Sequence, residues 1–335
     1  MKLRGCLQRP VAAPPSGVRG GLKRLVFDER GVRSWIRALL FIGLFALILV
    51  ILFVTFQRVI SFFPELYRRI HAVQQHAKAG GGLPPWIIIL DEVMLLGCTM
   101  LATWVMTRLD GSPFAGIGLP RARWLRDLAA GCAVGFCMIG LLVAGLLAFG
   151  FGRLEPPTAG FAVALRSGLE WAVAALLIGF TEEIAFRGYL FAILRERYGF
   201  WIGALVVTGL FMSAHGHNPD ENLIGLLTTA VVSVLFCLAI LRTCAVWWVI
   251  GCHAAWDWAE SYFFGSADSG MYSSGRLFTL LPHGNAYLSG GTDGPEGSLL
   301  CLVVLIAVIL ALPLLIRRRS GVPGLRAALD PAGKP

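Results

Sequence analysis

Eight long apolar runs divide this chain, and they decide what it can fold into. They extend over about residues 38–56, 86–106, 128–149, 168–194, 200–214, 223–241, 246–264 and 299–316. A helix needs roughly 20 mostly apolar residues to cross a bilayer, so eight crossings use about 160 residues. The composition agrees, because 56% of the 335 residues are hydrophobic and only 15% are charged. The sequence therefore predicts an all-α polytopic membrane helix bundle with about eight transmembrane helices.

The net charge of +9 is concentrated at the two ends of the chain. Basic residues crowd the segment before Arg37, and Arg317, Arg318 and Arg319 follow the last apolar run. Because cytoplasmic segments retain Lys and Arg, we expect both termini in the cytoplasm of a multi-pass protein, in a bacterial inner (cell) membrane. The first outer loop, with Arg68 among its basic residues, is the exception to this bias.

Charge and hydropathy also predict how the chain is organised and what it contacts. We expect a disordered basic tail over residues 1–33, three transmembrane helices with loops over 34–160, a catalytic core of helices four to eight over 161–316, and a second basic tail over 317–335. The basic ends favour contact with membrane lipid head groups. No basic face with interleaved aromatic residues is present, so no nucleic-acid partner is expected.

Ionisable side chains interrupt four of the apolar runs. Asp91 and Glu92, in the second, have no basic neighbour in their run and are expected to be structural, and the other three sets are candidates. Such groups are costly inside a membrane, and each candidate set is a hypothesis for a functional site. The candidates are Glu182, Glu183 and Arg187 in the fourth run, His215 at the end of the fifth, and His253 and Asp257 in the seventh. Two imidazoles and one or two carboxylates on separate helices suffice to bind a metal or to activate a water molecule.

Helical spacing gives the two adjacent glutamates different directions. Glu183 and Arg187 are four residues apart and can pair on one face. Glu182 is rotated by about 100° from Glu183, so one carboxylate can be held by Arg187 while the other points into a cavity. His253 with Asp257, and Phe211 with His215, repeat the spacing of four.

Each of these features alone has an ordinary structural explanation. A Glu–Arg pair in a membrane helix is commonly a folding device, a His at a helix end is commonly solvated, and a His–Asp pair is open to either interpretation. Their joint occurrence in neighbouring apolar runs favours one shared site over three unrelated ones.

The order of these motifs resembles the three signatures of the CPBP family. EEIAFR (Glu182–Arg187), FMSAH (Phe211–His215) and HAAWD (His253–Asp257) match the patterns E-E-x-x-x-R, F-x-x-x-H and H-x-x-x-N or D, in order. That family contains the type II CAAX prenyl endopeptidases and bacterial relatives, including bacteriocin self-protection proteins. The resemblance covers about residues 168–260, and the later GGTDGPEGS stretch resembles a Gly-Pro-Glu turn of some bacterial members.

The resemblance implies a mostly helical intramembrane endopeptidase, a hydrolase of the CAAX-type metalloprotease class. Glu182 would polarise the attacking water, His215 would share that water, and His253 would stabilise the oxyanion. A divalent metal such as zinc, held by Glu182, His215 and His253, stays open as an alternative. Glu183 and Arg187, with Phe211 in support, would hold the glutamate helix in position.

Asp257 departs from the eukaryotic prenyl proteases, which typically have Asn at this position. An ionised Asp cannot donate a hydrogen bond to an oxyanion. Asp257 must therefore be protonated, orient His253 or bind a metal.

The function that this pattern favours is cleavage of a membrane-associated protein or peptide. One alternative is a non-proteolytic membrane protein of the same fold that binds or protects a partner, as in bacteriocin self-immunity. Another is an ion or solute pathway that uses the same buried groups. The H-E-x-x-H, G-x-S-G and G-x-G-D motifs of other intramembrane proteases are absent from the sequence. No motif in the sequence indicates a substrate or an oligomeric state.

Overall fold

The protein folds as a bundle of helices, as the apolar runs predict. The structure, a computed structural model, describes residues 27–28, 31–76, 81–120 and 122–317. The helices are α1 (Ser34–Ser61), α2 (Pro64–His76), α3 (Pro85–Leu109), α4 (Trp124–Ala148), α5 (Phe161–Ile184), α6 (Phe191–Tyr198), α7 (Phe200–His215), α8 (Leu223–Thr243), α9 (Trp247–Asp257), α10 (Ala286–Ser289) and α11 (Leu299–Leu315).

Short irregular and extended segments join these helices. A π-helical turn, Ala185–Leu190, connects α5 to α6, and a second one, Trp258–Phe264, extends α9. Strands β1 (Phe27–Asp28) and β2 (Gly31–Val32) form one antiparallel pair, and β3 (Gly152–Glu155) and β4 (Thr279–Pro282) form another. The β3–β4 pair was not predicted, because four-residue strands between apolar helices carry little pattern of their own.

Each of the eight apolar runs contains a helix, and the all-α membrane bundle is confirmed. Five helical segments of the described chain have the length and apolar composition to cross a membrane. They are Ser34–Ser61, Pro85–Leu109, Trp124–Ala148, Phe161–Tyr198 and Leu223–Thr243. Helices α7 and α11 are apolar but shorter, and α9 has 11 residues before its π-helical turn. The chain is therefore an integral membrane protein, and the count of eight crossings stays a prediction.

The expected first outer loop is in large part the helix α2. Its mostly polar composition conceals it among the apolar runs, and Ile70 is its buried residue. Glu65 pairs with Arg68 at 2.8 Å and with Arg69 at 3.4 Å. These pairs lie one helical turn apart, where opposite charges support an exposed helix.

The expected basic tails fall almost entirely outside the described residues, which include only residues 27–28 and 31–33 of the first tail and Arg317 of the second. The division at residue 160 stays a prediction. One hydrophobic cluster draws residues from both sides of it, with Phe41 and Ile139 on one side and Phe191 and Ile250 on the other.

Helix α9 lies between α4 and α5, and glycines allow its close approach to α4. A Cβ atom added at Gly131 or Gly135 would lie less than 3.0 Å from backbone atoms of α9, and one at Gly251 would lie as close to the carbonyl oxygen of Leu128. Small residues let membrane helices pack backbone to backbone. These three glycines, Gly131, Gly135 and Gly251, form a glycine seam between α4 and α9. The seam fixes the depth and rotation of α9, and with them the position of His253.

Gly135→Ala should lower the thermal stability of the detergent-solubilised protein, because the new methyl group would collide with the backbone at Cys252. Overpacking of this kind costs about 1–3 kcal/mol. Gly140→Ala is the matched control on the same helix, since a Cβ there meets nothing within 4 Å. Equal unfolding temperatures for the two variants would contradict the close α4–α9 packing.

Candidate active site

Residues from three helices line one cavity of about 220 Å³. Glu182 comes from α5, His215 from the end of α7, and His253 and Asp257 from α9. Phe211, one turn before His215, lines the same cavity. The structure thus brings together the side chains that the sequence predicts for a shared site.

The two adjacent glutamates have different surroundings. Glu183 is fully buried, and its Oε1 accepts a hydrogen bond from Nη1 of Arg187 at 3.1 Å, with both side chains excluded from solvent. Glu182 retains 27% of its side-chain exposure and lines the cavity. The 100° rotation between neighbouring helical positions therefore separates a paired carboxylate from an accessible one.

Glu183 also holds the histidine of the neighbouring helix. Its Oε1 lies 3.0 Å from Nδ1 of His253, so the ring donates to the same oxygen that accepts from Arg187. Spacing along one helix could predict the Glu183–Arg187 pair, but not this contact between α5 and α9. Glu183 therefore fixes both the guanidinium and the imidazole.

Aromatic rings surround the buried Arg187 guanidinium. Its Cζ lies 4.0 Å from the ring centroid of Phe211, and 5.8 Å from the centroids of Phe186 and Phe236. A cation over an aromatic face is attracted by the ring quadrupole, and more strongly where water is excluded. Phe211 also packs against the tilted ring of His215, with the ring centroids 4.3 Å apart, so it connects the ion pair to the second histidine.

The other nitrogen of His253 faces two carboxylates without a hydrogen bond to either. Its Nε2 lies 3.7 Å from Oε2 of Glu182 and 3.6 Å from Oδ2 of Asp257. The sequence suggested that Asp257 could orient His253, but the structure places Glu183 at Nδ1 for that purpose. Nε2 of His253 and the carboxylate of Glu182 can therefore both form hydrogen bonds with a molecule in the cavity.

His215 is held by the backbone of its own helix. Its Nδ1 lies 3.0 Å from the carbonyl oxygen of Phe211. A carbonyl only accepts, so Nδ1 carries the proton, and Nε2 of the neutral ring is an acceptor. His215 therefore offers the cavity a hydrogen-bond acceptor.

The π-helical turn after Glu183 is fixed at its far side. Tyr189 donates from its hydroxyl to Oδ2 of Asp110 at 2.7 Å, and Arg37 of α1 contacts the same oxygen. Gly188 leaves the helical region with ψ −112°. Single π-helical turns often occur at functional sites, and this one carries Arg187.

Acidic residues beyond the predicted set also line the cavity. Asp268 follows the second π-helical turn, and Glu296 precedes α11. Burial raises the pKa of both, and for Glu296 the nearby charges of Asp268 and Asp293 raise the pKa further. Sequence reasoning missed this acidic group, although the GGTDGPEGS stretch contains Asp293 and Glu296.

The acidic character extends to the start of α8. Burial and the charge of Asp293 raise the pKa of Glu221 to about 8, and burial raises the pKa of Asp293 to about 6. Asp293 accepts from the backbone N–H of Asn222, which caps α8. Both carboxylates reach close to Gly225, where a Cβ atom would overlap them unless they moved.

The residues implied for a zinc site do not converge on a common coordination point. Within the described chain, one group of acidic, His or Cys side chains has ligand atoms that all lie within 4.8 Å of one another, namely Glu260, Asp268 and Glu296. Glu182, His215 and His253 form no such group, so their arrangement does not fit zinc coordination.

Comparison with known proteins supports the resemblance. Residues 164–259 match the family model described as type II CAAX prenyl endopeptidase Rce1-like, which confirms the family resemblance for this segment. The match contains Glu182, His215, His253 and Asp257, and it ends before Glu260. No curated protein and no solved structure matches the chain.

Glu183→Gln should destabilise the protein by about 3–5 kcal/mol, because it leaves the Arg187 charge buried without its partner. Glu170→Gln on the same helix is the matched control, since it removes a largely exposed pair with Arg166, and such pairs contribute about 0–1 kcal/mol. Unfolding in detergent, followed by circular dichroism, measures both. Equal stability of the two variants would contradict a structural role for the Glu183 charge.

Proposed function

We propose that this protein is an intramembrane endopeptidase that hydrolyses a peptide bond of a membrane-associated protein or peptide. The observation that carries the proposal is that an accessible carboxylate, Glu182, and Nε2 of His253 face one cavity, while Glu183 holds the other nitrogen of the same ring. The family match over residues 164–259 supports a CAAX-type membrane peptidase.

Glu182 acts as the general base in the proposed reaction. It takes a proton from a water molecule as the water oxygen bonds to the scissile carbonyl carbon, and the carbonyl π electrons move to the oxygen. His215 positions the same water, because its free Nε2 accepts a hydrogen bond from the second water proton. Two acceptors on different helices thus orient the nucleophile.

His253 stabilises the oxyanion that results. Its Nδ1–H is committed to Glu183, and its Nε2 faces the cavity between two carboxylates. Negative charge on both sides favours the imidazolium form, which presents an Nε2–H donor to the developing oxyanion. Asp257 supports that charge from 3.6 Å, so it need not donate a hydrogen bond itself.

Collapse of the tetrahedral intermediate completes the hydrolysis. The oxyanion electrons re-form the carbonyl, the C–N bond breaks, and Glu182 returns its proton to the leaving nitrogen. The products are a carboxylic acid and an amine, and Glu182 is again ionised. These steps use the side chains of this chain, and a zinc ion at Glu182, His215 and His253 would require those residues to move together first.

The membrane sets the substrate class. The cavity is formed among helices of an integral membrane protein, so the peptide must be membrane-associated to reach it. The basic ends favour a cell-membrane protein with both termini in the cytoplasm. We infer no particular substrate sequence, and the Asp at position 257 weakens a direct transfer of prenyl-protein specificity.

Glu182→Gln should leave the protein at normal abundance and lower its cleavage rate by about 10²–10⁴-fold, the usual contribution of a general base. Peptide N-termini in membranes of cells that express the wild type or the variant measure this directly. Termini that depend on the wild type should disappear, and Glu170→Gln should retain them.

Two outcomes would contradict the assignment. If no termini depend on the wild type while it still retains a bound partner, the protein is of the non-proteolytic kind. If the Glu183→Gln variant is stable and inactive while Glu182→Gln cleaves, the two carboxylates have the opposite roles.

Asp257→Asn in the same assay tests the charge of Asp257, and slower cleavage is expected.

A further inference from the structure

A second cluster of ionisable groups lies against the same cavity, outside the segment matched to the family. It consists of Glu260 on the π-helical turn after α9, Asp268 in the following loop, and Glu296 just before α11. Each residue offers one carboxylate oxygen, and these three oxygens lie within 4.8 Å of one another. Like charges this close repel one another unless protons or a cation neutralise them.

Glu260 shows that the cluster is not an ordinary solvated acidic patch. Its side chain is 0% exposed, and neither of its carboxylate oxygens accepts a hydrogen bond of good geometry among the described residues. The neighbouring donor is the indole of Trp256, which is neutral and cannot balance the carboxylate charge. Burying an ionised carboxylate without a partner is costly, so such groups are paired or bind metals. Its carboxylate is aimed at the other two, since the mutual distances include one of its oxygens.

The other two carboxylates are held in position by local hydrogen bonds. Oε1 of Glu296 accepts from the hydroxyl of Ser269 at 2.7 Å and contacts the backbone N–H of the same residue. Oδ2 of Asp268 accepts from the hydroxyl of Ser261 at 2.9 Å. Each of these bonds uses one carboxylate oxygen and fixes the direction of its side chain.

Among the described residues, no Lys or Arg side chain lines the cavity beside this cluster. The residues that line the cavity include Glu182, Asp257, Asp268 and Glu296, but no Lys or Arg. Its two imidazoles have other partners, because His253 donates to Glu183 and His215 donates to the backbone. The four acidic side chains on the cavity wall outnumber its two imidazoles, so negative charge prevails there even when His253 is protonated.

We propose that Glu260, Asp268 and Glu296 bind a hard divalent cation, of the Mg²⁺, Mn²⁺ or Ca²⁺ class, beside the cavity. The all-oxygen ligand set selects this class over zinc or copper, which favour nitrogen and sulfur. The ion would join the π-helical turn after α9 to the segment 265–298, parts of which line the cavity. This site is separate from the zinc set that the family resemblance implies, and it stands whether or not the proposed hydrolysis is correct.

Mn²⁺ is the probe that tests the proposal, by electron paramagnetic resonance of the full-length protein in detergent. The wild type should bind Mn²⁺ at a single site, and added Mg²⁺ or Ca²⁺ should displace it. Glu260→Gln and Asp268→Asn should each weaken binding about tenfold or more, because affinity for hard cations depends on ligand charge. Glu182→Gln and Glu170→Gln should bind Mn²⁺ as the wild type does. Asp268 is partly exposed, so its variant keeps the test valid if Glu260→Gln does not fold.

Three results would overturn the proposal. The first is a wild type that binds no Mn²⁺, which would mean that shared protons neutralise the three carboxylates. The second is binding that survives both Glu260→Gln and Asp268→Asn. The third is binding that is lost in Glu182→Gln, which would place the ion at the proposed catalytic glutamate.

Discussion

The site depends on one buried interaction, the contact of Glu183 with both Arg187 and His253. A single carboxylate oxygen accepts from a guanidinium on its own helix at 3.1 Å and from an imidazole on the neighbouring helix at 3.0 Å. A buried ion pair is weak evidence for net stability, but removal of one partner leaves an uncompensated charge. The contact therefore acts as a constraint: α5 and α9 must keep this relative position for every charge to be paired.

The glycine seam and the aromatic rings make that position attainable. Gly135 and Gly251 allow the backbones of α4 and α9 to touch. Phe211 covers the guanidinium of Arg187 and packs against His215. Backbone contact fixes α9 from one side and the ion pair from the other, so the accessible carboxylate of Glu182 meets His253 at a defined place on the cavity wall.

The sequence predicted what lies within single helices, and it missed what lies between them. Apolar runs predicted the helices, and the spacing of four predicted the pair of Glu183 with Arg187. Spacing could not predict that His253 donates a hydrogen bond to Glu183 on another helix, because it carries no information across the bundle. The cluster of Glu260, Asp268 and Glu296 was missed for the same reason, since its members are up to 36 positions apart in the sequence.

The central claim is that Glu183, and not Glu182, pairs with the buried guanidinium of Arg187. A double-mutant cycle tests this claim most directly. The free energy of unfolding would be measured for Glu183→Gln, for Arg187→Met and for the double variant. We expect the double variant to lose less stability than the sum of the two single losses, because the cost of each single change is an unpaired charge. The same cycle with Glu182→Gln in place of Glu183→Gln should be additive. Additive losses for Glu183 and Arg187, or strong coupling between Glu182 and Arg187, would contradict the account.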